Sequence, residues 1–173
     1  MVNERYPIGQ FESDEVISKE QIAEWIEEIY LLPEQLREVV VDLNEEDFNR
    51  TYRPNSWTVR QLVHHIADSH LNGYLRIKLA LTEEEPTIKP YEEADWAKLP
   101  DYSLPISISM QLIQSLHERW VYLLQNLNDE QLKKSFYHPV SGVMTVEKSI
   151  GIYAWHGKHH LAHIRNALQT GLI

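Results

Sequence analysis

Residues 145–170 form one uninterrupted stretch of helical character, and its inward stripe carries histidines where a core would carry leucine. The segment WHGKHHLAH, residues 155–163, places His156 and His160 four residues apart, one turn above the other on one face. His163 is seven residues from His156 and shares that face, while His159 lies at its edge. Ile152, Tyr153, Ile164 and Ala167 belong to the same side, with Leu168 at its margin. The imidazoles therefore point into a helical core. Buried imidazole nitrogens need partners, and a metal ion serves several at once. An isolated pair at this spacing is a weak signal; three histidines on a core-facing stripe strengthen it.

Three more long helices precede this one. The first starts at Ser18, which has capping-box spacing with Gln21, and continues through Ile22, Trp25, Ile26 and Ile29 at helical period. Pro33 is expected to kink or break it, with the stripe resuming at Leu36, Val39, Val40 and Leu43. The second begins after Thr58, again boxed with Gln61, and runs to about Leu81. The third spans roughly residues 107–127, with Ile113, Leu116, Trp120 and Leu123 as its core stripe. Gly171 is the expected C-cap of the fourth. Residues 82–105, with four prolines and three aromatics, read as ordered packing and a candidate lid over a pocket. Residues 136–143 read as a short hairpin with Ser141 and Gly142 at its tip. No linker or repeat divides the chain. The expected architecture is all-α: a single domain over residues 1–173, folded as a four-helix bundle with long ordered crossovers.

Two histidines on one helix need a third ligand from elsewhere. The second helix offers VHHIADSH, residues 63–70. On a helical wheel Leu62, Ile66, Gly73, Ile77 and Ala80 form the apolar stripe; His65, Ser69, Asn72 and Arg76 flank it, with Asp68 on the far edge. His64 and His70 fall nearer the solvent side, so His65 is the chosen ligand. Asp68 is placed either to orient a ligand histidine or to cap a neighbouring loop. His117 and His138 have no spacing partner and read as structural.

Composition narrows the chemistry. There is no cysteine, which removes disulfides, thiolate ligands and a cysteine nucleophile, and leaves any metal to histidine and carboxylate. A net charge of -10 with scattered basic residues disfavours nucleic acid. No apolar run is long enough for a membrane span, and the start lacks signal-peptide character, so a cytoplasmic address is expected.

These segments together resemble a known family. Residues 52–97, YRPNSWTVRQLVHHIADSHLNGYLRIKLALTEEEPTIKPYEEADWA, are similar to the DinB/YfiT superfamily, as are YPIGQFE, FYHPVSG and WHGKHHLAHI. The likeness covers nearly the whole chain and points to the YfiT branch, whose members are described as metal-dependent hydrolases and as bacillithiol S-transferases. Trp57 and His65 match the family's Trp-to-His spacing on the second helix, and His156 with His160 match its helical pair. His163 stands where many members carry Gln, so it is not carried over as a ligand. The resemblance implies a four-helix bundle, one Zn or Ni ion on His65, His156 and His160, and a homodimer. Asp68 or His163 then orients ligands or accepts a proton, and Arg60 or Arg76 pairs with carboxylates of bacillithiol. Metal activation of the thiol gives a transferase. Activation of water gives a hydrolase, although no Glu lies between the helical histidines. A non-catalytic metal-stabilised dimer or sensor is the third reading, and it calls for a fourth protein ligand such as His163.

Overall fold

The structure is a computed structural model that describes residues 4–172. Helix α1 (Lys19–Val40) is followed by a short α2 (Glu45–Phe48) and by α3 (Val59–Thr82). A crossover containing α4 (Glu93–Trp96) and a 3₁₀ turn (Pro100–Ser103) leads to α5 (Ile106–Gln125). Then come α6 (Asp129–Lys133), the antiparallel hairpin β1 (Ser135–His138) with β2 (Gly142–Thr145), and α7 (Val146–Thr170). The four long helices make a bundle in which α1 packs on α5 and α7, and α3 packs on the same two. No helix among the described residues is long and apolar enough to cross a membrane.

Helix ends fall where side-chain chemistry puts them. Ser18 and Thr145 cap the first turns of α1 and α7, and Thr58 and Gln61 form a reciprocal box at the start of α3. Gly171 closes α7 at φ 64°, a left-handed position that glycine takes without a Cβ penalty. Pro33 does not break α1, which runs continuously from Lys19 to Val40. What Pro33 removes is the N–H that would have bonded the carbonyl of Ile29, four residues back.

The apolar core comes in two clusters. One gathers Trp25, Ile29, Trp120, Ile150 and Tyr153; the other gathers Leu32, Leu36, Leu62, Ile66, Ile113 and Ile164. Between them, at one level of the bundle, lies a layer of histidine: His65 and His70 on α3, His117 on α5, His156 and His160 on α7. Gly73 permits the layer to close, because a Cβ there would sit 2.4 Å from the Tyr153 ring, which packs edge-on to His70.

Candidate metal centre

The folding of α3 against α7 brings His65, His156 and His160 together, with one ligand nitrogen from each lying within 4.8 Å of the others. Nε2 of His65 and Nε2 of His156 face each other at 3.2 Å. Two imidazole nitrogens about 2.0–2.1 Å from a common ion lie about 2.8–3.4 Å apart at right-angle to tetrahedral geometry, so this spacing fits a shared cation. Trp57 packs against His65 with ring centroids 4.5 Å apart and seals it from solvent.

All three rings are neutral at physiological pH. Burial pushes His65 down to about 4, and burial, reinforced by neighbouring histidines, holds His156 and His160 well below the ordinary imidazole value. A neutral ring offers a lone pair, which is what a divalent ion requires. Nδ1 of His65 is buried without a hydrogen-bond partner.

A second group of three, His159, His160 and His163, also brings ligand nitrogens within 4.8 Å, and it shares His160 with the first. His163 stacks on Tyr52 at 3.8 Å and turns Nδ1 toward Nδ1 of His160 at 3.3 Å.

The remaining residues singled out from sequence fall in varied places. Asp68 accepts a hydrogen bond from the Tyr102 hydroxyl at 2.7 Å and so ties the 3₁₀ turn to α3. Arg60 pairs with Glu45 and donates to the Leu104 carbonyl. Arg76 donates to the Tyr153 hydroxyl at 3.2 Å. His64 and His70 are buried, contrary to the solvent-side placement drawn from the wheel. His64 meets Ser109 Oγ on α5 at 2.7 Å and the Leu104 carbonyl at the end of the crossover at 3.0 Å, so its two nitrogens tie α3 to both. His70 is 0% exposed and touches His156.

Above the histidines is a cavity of about 510 Å³ whose wall includes His156, His160, Trp57, Arg5, Arg53 and Glu93. Glu93 is the one carboxylate among the residues that line it; it is exposed at the cavity rim, and partial desolvation there raises its carboxyl above the usual range against the opposing pull of Arg76. Spacing gave no sign of Glu93, because it reaches the site from the crossover rather than from a helix that carries histidine.

A four-helix bundle with long crossovers and a buried histidine centre at its middle level is the class that fold and site define. The chain belongs to the DinB superfamily, which it matches over residues 28–164. A protein of Halalkalibacterium halodurans named "Putative metal-dependent hydrolase" is 56% identical over 167 residues, 96% of this chain and 98% of its own. One of the same description from Oceanobacillus iheyensis is 56% identical over 163 residues, 94% of this chain and 95% of its own. The solved structure of YfiT from Bacillus subtilis, described as "a probable metal-dependent hydrolase with an unusual four-helix bundle topology", superposes with a TM-score of 0.93. It is 44% identical and covers 99% of this chain and 100% of its own. A mycothiol-dependent maleylpyruvate isomerase shares the fold at a TM-score of 0.67 with 12% identity, over 83% of this chain and 60% of its own.

Proposed function

We propose that this chain is a metal-dependent enzyme in which His65, His156 and His160 hold one Zn or Ni ion and a low-molecular-weight thiol, bacillithiol, is the substrate activated for transfer to an electrophile. The observation that carries the metal part is the convergence of three neutral imidazoles, His65 buried behind Trp57 and His156 and His160 on the wall of a cavity. A divalent ion held by three neutral ligands keeps its full charge and supplies Lewis acidity that lowers the pKa of a thiol or a water.

The chain's own residues supply the rest. Arg5 and Arg53 put positive charge on the cavity wall of a protein whose net charge is -10, which suits a substrate bearing carboxylates. Trp57, Tyr52 and Trp155 give that wall apolar surface and limit water. Glu93, with its raised pKa, takes the thiol proton on a carboxylate oxygen. Sulfur then bonds to the electrophilic carbon as the leaving group departs with its electron pair. The absence of cysteine agrees with a nucleophilic sulfur that arrives on the substrate.

Hydrolysis is the second reading, and Glu93 favours it: a carboxylate in the cavity wall is the general base that spacing between the helical histidines did not offer. The discriminating experiment is turnover of an alkylating electrophile by Zn-loaded protein, with and without bacillithiol, followed by mass spectrometry. Thioether formation that needs both thiol and metal supports transfer. Metal-dependent hydrolysis of the same electrophile at the same rate without thiol replaces it with hydrolysis.

A further inference from the structure

Two of the three proposed ligands are each backed by a chain of histidines that ends on a backbone carbonyl. Behind His156, Nδ1 faces His70 Nε2 at 3.2 Å, His70 Nδ1 faces His117 Nε2 at 2.9 Å, and His117 Nδ1 faces the Ile29 carbonyl at 2.6 Å. Behind His160, Nδ1 faces His163 Nδ1 at 3.3 Å, and His163 Nε2 faces the Glu4 carbonyl at 3.2 Å.

A carbonyl oxygen only accepts, so each chain has a fixed direction. Ile29 O requires a proton on His117 Nδ1. A neutral ring has one N–H, so His117 Nε2 is bare and must receive the Nδ1–H of His70. His70 Nε2 is then bare and receives the Nδ1–H of His156. That leaves Nε2 of His156 as a lone pair facing His65. In the second chain, Glu4 O requires a proton on His163 Nε2. His163 Nδ1 is bare and receives the Nδ1–H of His160, whose Nε2 is left as a lone pair. Each nitrogen–nitrogen contact at hydrogen-bond distance needs one bare nitrogen, and the rings are buried from water, with His70 0%, His117 1% and His163 2% exposed, so they stand neutral.

Pro33 explains why Ile29 can anchor the first chain. Inside a regular helix that carbonyl would be satisfied by the N–H of residue 33, and proline has none. The buried His117 takes its place. The His70 and His117 ring planes lie only 6° apart, so the two hydrogen-bonded rings share a common orientation.

We infer that His70, His117 and His163 are positioning residues that relay the polarity of two backbone carbonyls to the metal centre, fixing His156 and His160 as Nδ1–H tautomers with Nε2 free to bind. This rests on the metal reading for its purpose, while the tautomers themselves can be measured without metal.

The test is histidine ¹⁵N NMR of the full chain, with and without Zn²⁺, together with Zn²⁺ affinity by competition with a chelator. The expected tautomers are Nδ1–H for His156, His160, His70 and His117, and Nε2–H for His163, all before metal is added. His117→Leu should release His70 and His156 to exchange tautomers and weaken Zn²⁺ about 10–100-fold, the usual range for losing a ligand's outer partner. His117→Gln, whose amide can donate to Ile29 and accept from His70, should recover most of that loss. A native His156 carrying its proton on Nε2, or a His117→Leu protein with unchanged His156 tautomer and affinity, would overturn the relay. The expected tautomers in a protein that takes up no metal would uphold the relays and remove the metal reading.

Discussion

His65 Nε2 and His156 Nε2 face each other at 3.2 Å across the contact between α3 and α7, two ring nitrogens brought together from positions 91 residues apart. Bare nitrogens do not attract; a proton can satisfy one such pair, and a cation can satisfy three. Each of the predictions below turns on how the chain holds that arrangement.

Glu93→Gln keeps the shape of the cavity wall and removes the carboxylate. Turnover should fall about 100-fold or more, within the range for loss of a general base, while metal content stays unchanged. Steady-state kinetics with elemental analysis reads both. Equal activity in the variant would assign proton transfer to another group.

The buried histidines make stability depend on pH. Burial pushes His117 down to about 4 in the folded chain from the ordinary imidazole value of 6.5, so between those values the unfolded chain binds the proton that the folded chain refuses. Its contribution is present above pH 6.5 and is lost as pH falls toward 4, by about 3 kcal/mol for this residue. Urea midpoints of metal-free protein should drop steeply over that window, and His117→Leu should flatten part of the slope. A wild-type midpoint that does not change between pH 7 and 4.5 would contradict the neutral burial of these rings.

Gly73→Ala should destabilise the bundle by about 1–3 kcal/mol despite the better helix propensity of alanine, because the ring it meets is rigid. The added Cβ would lie 2.4–2.7 Å from three Tyr153 ring atoms. Denaturant titration checks the sign. A neutral or stabilising result would mean that Tyr153 moves aside freely.

Much of this was readable along the chain, because caps and stripes are local. Ser18, Thr58, Thr145 and Gly171 set helix ends, and the three proposed ligands share the faces that the wheel assigned. The wheel erred at His64 and His70 because it assumes one buried side. In α3 the other flank is covered too, by Leu104 and Ser109 over His64 and by His117 over His70. Pro33 misled for a related reason: loss of one helical bond costs little when another donor, His117, takes the freed carbonyl. Glu93 was illegible because only the path of the crossover brings it to the cavity, and no periodicity encodes that path.

The measurement that bears most directly on the centre is metal content of protein purified without a histidine tag, beside His65→Ala and His160→Ala. One divalent ion per chain, lost in both variants with the helical spectrum preserved, is the expected result. No bound metal, or metal retained in both variants, would contradict the three-histidine centre and leave a bundle with an unusually polar core.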